Sequence, residues 1–435
     1  MSTLAVIVSD LHMGADRPEA GERDPLERFT YDRQFRTFCR EVADYAGGRG
    51  DTLHFILNGD VFDLWTTVDP DELTLDAAPV IEQRLEYPVP RGNTAARDKA
   101  VARGERQIDR ILAAHPDVAL GLLEIVELPE AERRIVYLVG NHDHAMMQPA
   151  LQDYFRLRLG EIMQLDGPAP IEFPGRYDNP ALALYVEHGQ QFSLDSDYAD
   201  FFDAGEADIG LYFLRFVGNR VRAHYADKKN GLGLAVLSEL LAWTVSRASL
   251  DPLPLPPALR FLLEYFDARK RGVVPAFTRH TLLQELYAEW DRTQGQPPQI
   301  IKHALAEVFR SHEEPDFRRT LAIDSDPPHP PRNIGVRGTK RLVDWNAAAD
   351  RYWKGAMSRL SDPAPGFPKL DPTQYATVVL GHTHNAIYQF LPAQRVVSGR
   401  YINSGSWTRD KRPSFVWVSD RGDPREWRGL KEYPK

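Results

Sequence analysis

The 435-residue chain contains one cysteine, Cys39. An intramolecular disulfide is therefore excluded, and a cysteine-built zinc site with it. Any metal site has to be made from His, Asp, Glu and Asn side chains. No run approaches the roughly 20 apolar residues needed to cross a bilayer. The opening stretch, Met-Ser-Thr-Leu-Ala-Val-Ile-Val-Ser-Asp, lacks a basic segment, and its apolar run is too short for a secretory signal. A cytoplasmic protein without a transmembrane segment is expected. Positive charge is not in excess either: 53 Lys and Arg stand against 62 Asp and Glu, for a net charge of −9. Proteins that live by phosphate-backbone contacts are generally basic, so nucleic acid is a disfavoured partner. Apolar residues are not scarce. With 43% hydrophobic and 26% charged residues, disorder, collagen and coiled coil are excluded for the chain as a whole. At roughly 150 residues per domain, the length suits about three domains or one enlarged core.

Five short apolar runs are each ended at once by polar residues. Residues 4–8 end in Ser-Asp-Leu-His, 53–57 in Asn-Gly-Asp, and 135–139 in Gly-Asn-His-Asp. Residues 182–186 end in Glu-His-Gly and 377–380 in Gly-His-Thr-His. These runs have strand length and read as strands buried on both faces. Helical patterns over 27–45 and 97–114 lie between them, which predicts a layered α/β core. Short strands over 386–391, 400–402 and 414–418 are expected to close the sheet. The stretch 193–370 breaks the alternation. It reads as helices over 211–222, 232–247, 257–269, 278–292, 301–309 and 340–360, with Pro-rich joints at 251–257 and 326–332. The expected division is a core of residues 1–192 plus 371–435 and a helical insertion, or cap, over 193–370.

The spacing of the polar residues carries the chemistry. Asp10 and His12 sit two apart at a strand end, so both can point the same way. Asp60, then Asn141 and His142, then His188, then His382 and His384 follow the next four strands. Loops after the carboxyl ends of strands converge on one crevice in open α/β sheets. Such a set exceeds what one tetrahedral zinc takes, and it suits two metals bridged by a carboxylate. The mixture of nitrogen and oxygen donors favours Mn, Fe, Zn or Co over Ca or Mg.

The ordered set Asp10-Leu-His12, Gly59-Asp60-Val-Phe-Asp63, Gly140-Asn141-His142-Asp143, His188-Gly189 and Gly381-His382-Thr383-His384 resembles the calcineurin-like metallophosphoesterase superfamily. The resemblance implies a β-sandwich flanked by helices. It implies that Asp10, His12 and His384 bind one metal, that Asn141, His188 and His382 bind a second, and that Asp60 bridges them. It further implies two divalent ions, Mn first, with Fe, Zn or Co as alternatives. His142 becomes the general acid and Asp63 the carboxylate that orients it. The implied reaction is attack of a metal-bound hydroxide on a small-molecule phosphomonoester, phosphodiester or pyrophosphate. Parts of the motifs resemble UDP-diacylglucosamine pyrophosphohydrolases, DNA-repair nucleases and protein Ser/Thr phosphatases, without matching any of them throughout. A catalytically silent scaffold or binding protein on the same fold is the alternative.

Other residues have plainer readings. Asp143 reads as a structural hydrogen-bonder and His54 as a packed core histidine. His144 reads as a loop residue facing solvent or substrate, and the 401–407 stretch as a turn beneath the site. Asp195, Asp197 and Asp200 either line the entrance or cap a helix.

Overall fold

The computed structural model describes residues 2–15, 27–67, 94–192, 345–361, 363, 367–384, 386–391, 399–408, 411–420 and 428–432. The chain divides into two compact units. The first comprises Met1–Thr67, Val101–Phe192 and Asn346–Lys435, and the second Val68–Ala100 and Ser193–Trp345. Nearly all of the second unit lies outside the described residues, as do the helices expected between 211 and 309 and the acidic residues at 195–200.

The first unit is built on two mixed sheets. In one, β1 (Thr3–Val8), β2 (Thr52–Asn58), β3 (Arg133–Leu138) and β4 (Ile171–Glu172) run parallel, while β10 (Ser414–Ser419) and β11 (Arg428–Glu432) extend it antiparallel, in the order β11-β10-β1-β2-β3-β4. The other has the order β5-β6-β7-β9-β8, from β5 (Tyr177–Asn179), β6 (Leu184–Val186), β7 (Thr377–Leu380), β8 (Ile387–Leu391) and β9 (Gly399–Asn403). Within it β6, β7 and β9 are parallel neighbours.

Alternation along the strands explains the layering. Ala5, Ile7, Ile56, Val136, Val416 and Val418 of the first sheet form one buried cluster with Leu184, Val186, Val379 and Ile402 of the second. Residues of opposite parity face the helices. Phe55 meets Phe35 and Phe38 of α1 (Asp32–Arg49), which buries a stripe of Phe35, Phe38, Cys39, Val42 and Ala46 at helical spacing. Gly50, with φ at 63°, ends that helix by returning its N–H to Gly47. On the other side, Tyr352, Ala356, Met357 and Leu360 of α5 (Trp345–Ser361) cover Tyr185, Val378, Leu380 and Tyr401 of the second sheet.

Three elements differ from the expected ones. The first helix starts at Asp32 rather than 27, because the segment before it is held out of helix by the bridge at Phe29 and by side-chain anchors described below. The fourth strand starts at Leu184, since Pro180–Leu182 form a short 3-10 turn. The helix expected over 340–360 belongs with the first unit from Asn346 onward, as its apolar face covers a sheet. The helices α3 (Pro116–Val126) and α4 (Pro149–Ile162) were not expected; α2 (Thr94–Ala114) matches the pattern over 97–114. Among the described residues no helix is long and apolar enough to cross a membrane.

Candidate metal centre

In-register parallel pairing brings the carboxyl ends of β1, β2 and β3 level, with Val8 opposite Leu57 and Asn58 opposite Leu138. The same holds for β6 and β7, where Val186 pairs with Val379. The loops after β1 and β2 are cross-linked through their backbones, and so are those after β6 and β7. Asp10 N–H donates to Gly59 O at 3.0 Å, His12 N–H to Asp60 O at 2.8 Å, and Gly381 N–H to His188 O at 2.8 Å.

The side chains meet in two groups that share a carboxylate. Ligand atoms of Asp10, His12, Asp60 and His384 lie within 4.8 Å of one another, and so do those of Asp60, His188 and His382. In the first group His12 Nε2 is 2.9 Å from His384 Nε2 and 3.5 Å from Asp60 Oδ2, and His384 Nε2 is 3.2 Å from Asp10 Oδ1. In the second, His188 Nε2 is 3.2 Å from Asp60 Oδ2, and His382 Nδ1 is 3.0 Å from Asn141 Oδ1. All seven residues expected as ligands are thus gathered in one place.

A third group contains His12, Asp63 and His142. The His142 Nδ1–H donates to Asp63 Oδ1 at 2.9 Å, and the His142 ring stacks on Trp65 with centroids 4.0 Å apart. Asp63 Oδ2 also lies 3.7 Å from His12 Nδ1. Neither the Trp65 stack nor the Asp63–His12 approach was anticipated.

Backbone geometry marks the same residues. Seven non-glycine residues among those described have positive φ, and five are Asp10, His12, Asp60, His382 and His384. Such conformations cost on the order of 1–3 kcal/mol each and persist where surrounding structure enforces them. Glycines allow the close approaches. A Cβ on Gly140 would overlap Asp60 Oδ1, and one on Gly59, at φ 77°, would overlap the His188 ring. Asp143 locks the loops together by accepting from Gly140 N–H at 2.6 Å, Val61 N–H at 2.8 Å and Tyr137 O–H at 2.6 Å.

The donor set fits a pair of divalent cations. His188 donates Nδ1–H to Asn58 O at 2.8 Å, which fixes the tautomer and leaves Nε2 as a buried nitrogen with no hydrogen-bond partner. Electrostatics agree. Burial works against ionisation of Asp10, but His384 and His12 hold its carboxyl well below the usual range. Burial likewise opposes Asp60 and Asp63, yet His188 and His142 keep them lowered. The three buried carboxylates are thus held towards their charged form, which a cation between them would stabilise. His188 is pushed up to about 10 because Asp60 and Asp10 outweigh its burial. His12 is raised by Asp10, Asp63 and Asp60 against burial and the Arg28 charge. Burial lowers His384 to about 4, and lowers His142 despite Asp63. A metal ion would take the place of the protons that the carboxylates draw onto His188 and His12.

The remaining readings divide. Of the 401–407 stretch, residues 401–403 end β9, and those after it lie against the site: Trp407 N–H and the Ser406 hydroxyl both donate to Asp10 O, at 3.1 and 2.9 Å. His54 is half-buried and bonded to Tyr177 Oη at 2.6 Å. His144 is fully buried in a 3-10 turn, so it does not face solvent. No protein-family model matches the chain. A search of curated proteins finds no match.

Proposed function

We propose that the protein is a dinuclear metal-dependent phosphoesterase of the calcineurin-like kind, hydrolysing a phosphomonoester, phosphodiester or pyrophosphate. The observation that carries the reading is the sharing of Asp60 between two adjoining ligand groups, with a carboxylate-held histidine at their edge. Asp10, His12, Asp60 and His384 would hold one divalent ion, and Asp60, Asn141, His188 and His382 the other. When bound, such a pair supplies an activated water and neutralises charge on the phosphoryl group.

The chain's own residues do the rest. Asn58 O fixes the His188 tautomer so that Nε2 faces the centre. Asp63 takes the Nδ1–H of His142, leaving Nε2 as the proton-carrying atom at the rim, where the side chain keeps 14% exposure. Burial favours the neutral ring in the free protein. An anionic phosphoryl group beside it favours the imidazolium, so substrate binding loads the proton that the leaving group needs. Trp65 holds the ring in plane by stacking. Mn is the expected ion for this nitrogen and oxygen donor set, with Fe, Zn or Co as alternatives.

The test is hydrolysis of p-nitrophenyl phosphate and bis-p-nitrophenyl phosphate by EDTA-treated protein titrated with Mn²⁺. Hydrolysis of at least one ester that rises with Mn²⁺ is expected. Protein that carries two Mn²⁺ per chain and hydrolyses neither ester would favour the catalytically silent binding protein.

A further inference from the structure

Arg28 stands at the rim of the centre in a backbone that is pinned on both sides. Its neighbours Glu27 and Phe29 are buried, at 2% and 0% exposure, whereas Arg28 is half-buried. In an extended segment successive side chains point to opposite sides, so anchoring Glu27 and Phe29 inward turns Arg28 outward. The anchors are specific. Glu27 Oε1 accepts from Gly14 N–H at 3.1 Å and Phe29 N–H at 2.8 Å, and Oε2 lies 3.2 Å from His115 Nε2. His115 is fixed in turn by Asp32 at 2.5 Å, and the Phe29 backbone bridges to Thr408.

The guanidinium reaches the centre from outside. Arg28 Nη2 is 3.4 Å from His384 Nδ1, while His384 Nε2 faces His12 and Asp10. His384 Nε2 faces a carboxylate oxygen of Asp10, which can only accept, so Nε2–H donates there and Nδ1 accepts from the Arg28 N–H. At 3.4 Å that bond is long, and it engages one of the five N–H groups of the guanidinium. Among the described residues Arg28 has no carboxylate partner. Among the described residues, then, a held guanidinium without a carboxylate partner stands beside a site read as one for phosphoesters.

We propose that Arg28 binds a phosphoryl oxygen of the substrate on the His384 side of the centre, and so sets affinity for the anionic group. This inference rests on the phosphoesterase reading. Arg presents a planar fork that matches phosphate, which Lys does not.

Inorganic phosphate is the probe, titrated calorimetrically into Mn²⁺-loaded wild type, Arg28→Ala and Arg28→Lys, with metal content measured on the same samples. Arg28→Ala is expected to bind phosphate roughly 10- to 100-fold more weakly with Mn²⁺ content unchanged. Arg28→Lys should fall between, having the charge without the fork. On a hydrolysed ester, KM should rise more than kcat falls. Phosphate binding by Arg28→Ala equal to wild type would overturn the role of Arg28 and leave the phosphoesterase reading standing. Wild type that holds two Mn²⁺ but binds no phosphate would overturn both.

Discussion

Asp63 bonds one imidazole and lies close to a second. Its Oδ1 accepts from His142 Nδ1 at 2.9 Å and from the Thr66 N–H at 3.2 Å, while Oδ2 lies 3.7 Å from His12 Nδ1. One buried carboxylate thus orients the proposed general acid and lies against a proposed metal ligand, which places the proton carrier beside the centre. His142→Ala removes the proton carrier and leaves every proposed ligand in place. Turnover is expected to fall by about 10²- to 10⁴-fold with metal content unchanged by elemental analysis; unchanged turnover would remove His142 from the reaction. At this scale the sequence was legible because His, Asp and Asn at strand ends are few and their spacing restricts their direction. Trp65 on His142, Asp63 on His12 and Arg28 on His384 were not legible. Each contact joins residues on separate segments, or depends on a ring orientation that no spacing specifies.

The joint between elements is held by a buried ionic cluster. His115, which precedes the first residue of α3, contacts Asp32 at the start of α1 and Glu27 in the extended segment before it. Burial opposes a charge on His115, but Asp32 and Glu27 push it up to about 9. The sign follows from that direction. A histidine raised in the folded state stabilises fully below its unfolded value near 6.5 and loses that contribution as pH climbs through about 9. The shift corresponds to on the order of 3 kcal/mol. Urea unfolding of wild type and His115→Ala is therefore expected to differ most below pH 6.5 and progressively less up to pH 9. A difference that does not change with pH would show that His115 acts by packing alone. The same cluster explains why α1 starts later than its apolar pattern predicts. Phe29 fits a helical apolar stripe, but the Glu27 hydrogen bonds and the bridge to Thr408 keep that segment extended. The strands β4 and β5, two and three residues long, carry too little pattern to be read.

Over the whole molecule, two mixed sheets share one buried core and bring five strand ends to a single place. Alternation of apolar strands and helical patterns was enough to expect the α/β layering. The partition of strands between two sheets was not readable, because it depends on which inner faces meet. The fold's charge arrangement is demanding: Asp10, Asp60 and Asp63 are all buried, at 0%, 1% and 1% exposure. Removing one of these charges should alter metal content before it alters the fold. The proposed centre depends on Asp60 serving two ions, so the most direct measurement is Mn²⁺ stoichiometry by equilibrium dialysis with elemental analysis, on wild type and Asp60→Asn. Two Mn²⁺ per wild-type chain and one or fewer in Asp60→Asn is the expected result. A wild-type chain that binds less than one, or an Asp60→Asn chain that keeps both, would contradict it.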